Sequence, residues 1–201
     1  MGISEFVWAK NDDPKCAEWE SQGYELVGES WGAHLNLPSN SNLNSYSSRL
    51  ESASAKGLEI KVLNESYLDQ IVALEEKTHS DYPFTPATSH ELPGRTDLEK
   101  YFQGEGYLFG AFKDNRLIGI LATKREPLKI EFDFASVDPK FRGHGIASAL
   151  GSLAIQTYVS EGFFSFATGG ASVNASSKGT VESLGFVIDE FWRSYMKPQE
   201  G

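Results

Sequence analysis

The stretch of this sequence best equipped for chemistry is VDPKFRGHGIASAL, residues 137–150. Pro139 cannot donate to a strand ladder, so it ends an extended run. Gly143 and Gly145 allow positive φ and let the main chain come close to a ligand. Beyond them, Ile146, Ala149, Leu150 and Leu153 recur at i, i+3, i+4 and i+7, the stripe of an amphipathic helix. With that stripe fixed against a core, the first turn of the helix presents free N–H groups outward. Those donors and the helix dipole favour an anion by about 0.3–2 kcal/mol. Ala147 and Ser148 are small enough to leave the first turn open to a diphosphate. Arg142 stands at the mouth, either adding positive charge or facing solvent. His144 lies inside the turn, where it either touches phosphate or serves as a solvent-facing spacer.

The anion is not a simple nucleotide phosphate. A nucleotide P-loop needs Gly-Lys-Ser/Thr, a triplet this sequence lacks. A dinucleotide turn needs Gly or Ala three residues after its second glycine and an acidic residue about 20 further on; here Ser148 follows Gly145, and only Glu161 lies near. The whole segment instead resembles the GNAT superfamily of N-acetyltransferases, whose signature is Q/R-x-x-G-x-G/A after a strand ending Val-x-Pro. Arg142-Gly143-His144-Gly145-Ile146-Ala147 follows Val137-Asp138-Pro139 in that way, and Asn174 stands eleven residues before the glycine of Leu184-Gly185-Phe186, a second element of the family. The resemblance covers residues 58–197. It implies that the main chain of Arg142, Gly143, His144, Gly145, Ile146, Ala147 and Ser148 holds the pyrophosphate of coenzyme A. It also implies that the strand end Ala135, Ser136, Val137 pairs with the pantetheine arm and that Asn174 contacts that arm. The co-substrate is then acetyl-CoA, and the acceptor an amine of a small molecule or peptide.

Attack on a thioester needs a neutral amine, and deprotonating a lysine-like amine of pKa ~10.4 at pH 7 costs about 4–5 kcal/mol. A nearby carboxylate is the usual remedy. Glu131 and Asp133 lie two apart on the strand leading into the turn, so both should point opposite to Phe132 and Phe134. Either is a candidate base, and either is equally a solvated or ion-paired edge residue; Glu75 and Glu76 are weaker candidates. The Val137 N–H can meet charge developing on the thioester carbonyl. The family often protonates the departing thiolate with a tyrosine four residues before the Leu-Gly-Phe glycine, but this sequence has Val181 there. Tyr158 and Tyr195 are substitutes only if they are not half-buried packing residues. A coenzyme-binding protein with weak or no turnover is therefore the alternative reading. His34, His79 and His90 show no metal-ligand spacing, so no metal is expected.

These residues must be positioned by elements that the patterning also announces. A strand at 58–63, a helix capped by Asn64 or Ser66 with Leu68, Ile71 and Val72 inward, and a Pro-rich loop at 79–94 come first. A short helix near 96–102 precedes a hairpin, 107–113 and 116–125, joined by Asp114-Asn115. A strand at 128–137, a helix at 145–160, a strand at 163–168, a helix at 175–184 and strands near 186–188 and 191–197 follow. The expected fold is α/β (α+β): a central mixed, mostly antiparallel sheet flanked by helices. Residues 57–198 form this domain, 38–56 read as a Ser- and Asn-rich linker, and 1–37 as a partial strand-helix-strand extension. In that extension Glu20-Ser21-Gln22-Gly23-Tyr24 echoes Glu182-Ser183-Leu184-Gly185-Phe186, as if the tail of a preceding domain of the same kind were retained.

The 201 residues carry a formal charge of −10, which opposes a nucleic-acid partner and suits a cationic amine. No apolar run approaches the roughly 20 residues of a membrane helix, and the first residues lack the layout of a secretory signal, so a cytoplasmic protein without a membrane partner is expected. Cys16 is a lone thiol, expected as a small buried hydrophobe. The oligomeric state stays open, a homodimer included.

Overall fold

The computed structural model describes residues 6–82 and 91–198. Among these residues, eight strands form one sheet in the order β1-β8-β2-β7-β6-β5-β4-β3. They are β1 (Phe6–Lys10), β2 (Glu25–Asn36), β3 (Leu58–Val62), β4 (Gly106–Lys113), β5 (Arg116–Arg125), β6 (Ile130–Val137), β7 (Ser165–Ala171) and β8 (Val187–Met196). Every neighbouring pair is antiparallel except β6 and β7. Among the same residues, six α-helices flank the sheet: α1 (Lys15–Ser21), α2 (Asn44–Ala55), α3 (Leu68–Thr78), α4 (Arg95–Lys100), α5 (Ile146–Ser160) and α6 (Ala175–Ser183). Among the described residues, no helix is long and apolar enough to cross a membrane.

Local rules account for most of these elements. Asp114 and Asn115 take φ of 50° and 61°, the left-handed pair that a tight hairpin between β4 and β5 demands. Asn64 caps the turn leading into α3 by accepting a hydrogen bond from the Ser66 amide at 3.0 Å. On one face of the sheet, α2, α5 and α6 bury Tyr46, Ile146, Leu150, Ile155, Val181 and Leu184 against Phe109, Leu121 and Phe132. On the other, α3 and α4 bury Leu68, Ile71, Leu74 and Leu98 against Leu108, Ile120 and Ala122.

Four expectations need correction. The stretch 38–56 is not an open linker, because α2 occupies Asn44–Ala55 and packs on α5. Its Ser and Asn content hid an apolar stripe at Leu43, Tyr46, Leu50 and Ala53, spaced by three and four residues, whose members join the core. The two strands expected near 186–188 and 191–197 are one strand, β8. Phe132 and Phe134 do not share a face: Phe132 packs with the α5 core, while Phe134 packs with the α3 and α4 core. The cause is a β-bulge, since Thr123 pairs with Phe132 and Ala122 with Phe134, leaving Asp133 as the extra residue. Leu153, placed on the inner stripe of α5, is only half-buried, and Ala154 and Ile155 lie deeper. The Pro-rich loop begins with a helical turn at His79–Asp81; Pro83, Pro86 and His90 lie outside the described residues.

The N-terminal segment supplies an interior strand. β2 sits between β7 and β8, and its Trp31, 2% exposed, donates from Nε1 to Ala171 O at 3.2 Å. The Trp31 ring lies against Gly170, where any Cβ would come within 3.0 Å of it. Trp31→Ala is expected to lower the unfolding free energy by about 3–5 kcal/mol in urea titration; an unchanged midpoint would mean that β2 is not part of the core.

Asp138 ties α3, β5 and the end of β6 together. Its buried carboxylate pairs with Lys77 at 2.6 Å and with Arg116, and accepts from the Lys140 amide at 3.2 Å. Burial alone would push this acid up, but Lys77, the Lys140 amide and the Arg116 charge outweigh it and hold it below the ordinary carboxylate value. A depressed folded-state value means stabilisation that is complete above the unfolded value, ~3.9, and lost as pH falls through the folded one. Both cations are half-exposed, so Asp138→Asn should cost about 1–3 kcal/mol at pH 7. The difference from the parent should shrink on acidification below pH 4; a constant difference would rule out the ion pair as its source.

Candidate functional site

The parallel ladder between β6 and β7 is short. Ile130, Glu131 and Phe132 pair with Phe166, Ala167 and Thr168, and then the strands separate. β7 continues along β2 as far as Ala171, whereas β6 continues along β5 as far as Val137. The Asp133 bulge lies at the point of separation, where it bends β6.

Beyond the bulge, the direction of each main-chain group follows from register. The Asp138 amide donates to Ile118 O at 2.8 Å, which makes residues 136 and 134 the ones bonded to β5. Ala135 and Val137 therefore turn their N–H and C=O groups away from β5, into the opening. Two side chains meet the carbonyls there: the Tyr82 hydroxyl donates to Ala135 O at 2.7 Å, and Arg142 Nε donates to Val137 O at 3.0 Å. The N–H groups of Ala135 and Val137 have no protein acceptor among the described residues. They form an open strand edge facing the gap between β6 and β7, with Ala135 exposed and Val137 half-buried.

This edge runs directly into the glycine turn. Gly143 and Gly145 have φ of 76° and 80°, and a Cβ at either would meet open space. Gly145 is the N-cap of α5 and offers no side chain to its first turn. The first amide of α5 bonded within the helix is that of Ala149, to Gly145 O at 2.9 Å. The amides of Ile146, Ala147 and Ser148 precede it and have no intrahelical carbonyl to reach. His144 folds its Nδ1 back onto Phe141 O and Arg142 O, at 3.2 and 2.8 Å, and so braces the turn. Arg142 also pairs with Asp81 at 2.7 Å, so its charge lies over the strand end. Lys56 Nζ approaches His144 O at 3.5 Å, a cation beside the turn that no sequence motif pointed to. Asn174 caps α6, accepting from the Ser177 amide at 3.1 Å, which leaves its amide nitrogen for other partners.

The candidate bases are separated by the fold. The Asp133 side chain, 26% exposed, accepts from the Tyr101 hydroxyl at 2.5 Å and pairs with Lys124 at 2.9 Å. It lines a cavity of about 300 Å³ together with Glu91, Asp97, Lys100, Tyr101 and Glu105. Glu131 is half-buried and does not line that cavity. Glu75 is fully buried and receives a hydrogen bond from Ser136 Oγ, whose own oxygen lies 2.8 Å from Tyr82 Oη, while Glu76 is exposed. Burial raises the Tyr82 phenol above its ordinary value, with the Glu75 charge adding to it. Burial and the Asp133 hydrogen bond do the same for Tyr101. Tyr158 and Tyr195 are wholly buried, bonded to Thr123 and Glu20, and neither is free to reach the opening. Val181 belongs to the core. His34 pairs with Asp189, and no group of three or more metal-ligating side chains occurs among the described residues. Cys16 is buried, with its thiol donating to Lys10 O at 3.3 Å.

Comparison with known proteins agrees with this geometry. A curated relative, human N-acetylaspartate synthetase, is 34% identical over 94 residues, covering 45% of this chain and 31% of that protein. The chain thus matches about a third of the length of that relative. Among solved structures, a GCN5-related N-acetyltransferase from Sphaerobacter thermophilus superposes with a TM-score of 0.73 at 12% identity, over 97% of this chain and 59% of that one. A tandem GNAT protein from the clavulanic acid biosynthesis pathway superposes with a TM-score of 0.60 at 16% identity, over 98% of this chain and 65% of that one. The family model described as "Acetyltransferase (GNAT) family" matches residues 69–186, from the first turn of α3 to the Leu-Gly-Phe segment. The open strand edge, the glycine turn and the helix behind it lie within that span, and the chain belongs to the GNAT acetyltransferase family.

Proposed function

We propose that this protein transfers an acetyl group from acetyl-CoA to a primary amine of a small molecule or peptide, with both substrates bound at once. The observation that carries the reading is the edge of β6 beyond Phe132, which has no neighbouring strand among the described residues and ends at a bare glycine turn. The chain fits the coenzyme in its chemistry: donors at Ala135 and Val137 suit the amide-rich pantetheine arm, and the amides of residues 142–148 suit its diphosphate. The nitrogen of the Asn174 amide adds a donor beside that arm. Bound acetyl-CoA supplies the acyl group as a thioester. Of the Ala135 and Val137 donors, the Ala135 N–H lies nearer Asp133 and serves charge on the thioester carbonyl, a role worth about 3 kcal/mol, whereas Val137, four residues or about 13 Å along the strand from Asp133, lies at the diphosphate end of the arm. Asp133 is the base, in preference to Glu131, because its carboxylate lines the cavity and sits at the bend between the strands. The cavity wall carries four carboxylates, Glu91, Asp97, Glu105 and Asp133, against Lys100 and Lys124, a balance that favours a cationic amine.

Val181 favours a second reading. With an aliphatic core residue where the family often has a proton-donating tyrosine, a protein that binds the coenzyme and turns over slowly is the alternative. Thiol release from acetyl-CoA across a panel of amines separates the two.

Coenzyme A at 100 times its Kd should add ~2.7 kcal/mol of apparent stability; no shift in melting temperature at millimolar coenzyme would end both readings. Gly145→Val places a branched side chain at a left-handed position in front of the amides, and should weaken coenzyme binding at least tenfold by calorimetry. Asp133→Asn should retain that affinity while slowing acetyl transfer by about 10²–10⁴. If Glu131→Gln shows the loss and Asp133→Asn does not, the assignment of the base is wrong.

A further inference from the structure

The Asp133 carboxylate already holds a primary amine. Lys124 Nζ lies 2.9 Å from its Oδ2, and the Tyr101 hydroxyl donates to the same oxygen at 2.5 Å. The sheet dictates this contact. Lys124 follows Ala122 by two residues on β5, so both side chains leave the strand on the α3 and α4 face, while Thr123 between them meets Tyr158 on the other. In register Lys124 faces Glu131, and the bulged residue brings the Asp133 carboxylate within its reach as well. Tyr101, buried and packed edge-on against Phe134, fixes the second hydrogen bond to that oxygen.

Lys124, Asp133 and Tyr101 line one cavity. The Lys124 side chain is 44% exposed, which leaves its stem room to swing. Lys100 lines the cavity too, but it pairs with Asp97 at 2.8 Å. Among the described residues, Lys124 is the lysine ion-paired to the base. With the thioester carbonyl held at the Ala135 N–H, the acyl carbon lies two residues, or about 7 Å, along β6 from Asp133. That span is within the swing of a lysine side chain. Amine, base and acyl group then stand together before any outside acceptor enters.

We infer that Lys124 is itself an acetyl acceptor, modified by the site it lines. The inference rests on the proposed acetyl transfer. Asp133 takes a proton from the Lys124 ammonium, and the freed nitrogen attacks the thioester carbonyl. The C–N bond forms, the C–S bond breaks, and coenzyme A departs as its thiolate. Of the two protons the nitrogen loses, one ends on that thiolate and one is released to water, and Asp133 returns to the carboxylate. The product stays attached, so the reaction stops at one acetyl group per chain. It removes the charge of Lys124, and with it the ion pair to Asp133, and leaves an acetamide in the cavity where an outside amine would stand. Outside amines therefore compete with Lys124 for the base.

The test incubates the full chain with acetyl-CoA and no added amine. Peptide mass spectrometry follows each lysine, and calorimetry measures coenzyme A binding in parallel. Lys124 should gain one acetyl group about a hundredfold or more faster than the exposed Lys15 and Lys197, which report reaction without a base. Its rate constant should not change when the protein is diluted tenfold, as reaction within one chain requires. Asp133→Asn, with its melting transition and coenzyme affinity checked against the parent, should bring Lys124 down to the rate of those two lysines. In Lys124→Arg, which keeps an ion pair to Asp133, no other lysine should take over. Labelling of Lys100 ahead of Lys124, a rate that scales with protein concentration, or equal rates in the parent and Asp133→Asn would overturn the inference. If coenzyme A binds and Lys124 stays unmodified, the inference falls and the cofactor reading stands; if coenzyme A does not bind, both fall.

Discussion

Parallel strands β6 and β7 share ladder hydrogen bonds for three residues, after which each main chain must find other partners. A strand edge left open within a sheet is a template to which another extended chain or an amide-bearing ligand can hydrogen-bond. Here the separation leaves two adjacent outward amides on β6, at Ala135 and Val137, and directs them toward the glycine turn at the head of α5. The rest of the molecule maintains that separation. β2 draws β7 aside through a seven-residue register that ends beside Trp31, and β5 holds β6 in place. The buried Asp138 carboxylate, gripped by Lys77 and Arg116, fixes the strand end from which the turn departs.

The bulge at Asp133 gives this geometry its chemical asymmetry. One extra residue turns Phe134 to the α3 and α4 face while Phe132 stays with α5. The same extra residue aims the Asp133 carboxylate at the cavity, where Tyr101 and Lys124 hold it. One side of the opening is thus built from main chain and glycine, and the other from titratable side chains.

Much of this was legible in the sequence because it is governed locally. The Asp114-Asn115 hairpin, the helix behind Gly145 and the Asn64 cap each rest on residues within one turn of one another. Of the candidate site, the glycine turn and the Val-Asp-Pro strand end were legible because they lie within fourteen consecutive residues. What escaped depends on partners far apart in the chain. Tyr101 reaches Asp133 across 32 residues and Tyr82 reaches Ser136 across 54, with no spacing to announce either contact. The bulge was hidden because an alternating pattern looks the same with one residue slipped. Helix α2 was hidden because its polar composition is that of a linker, although four apolar positions follow a helical period.

The place of β2 in the sheet also bears on how the chain acquires its structure. This strand lies far in sequence from both of its neighbours, β7 and β8; Trp31 meets Ala171 across 140 residues. Until those neighbours pair with it, β2 has both edges open. Contacts of such long sequence separation slow folding and lengthen the time in which an exposed strand can associate wrongly. A strand so distant in sequence from both of its neighbours makes assembly of this sheet slow.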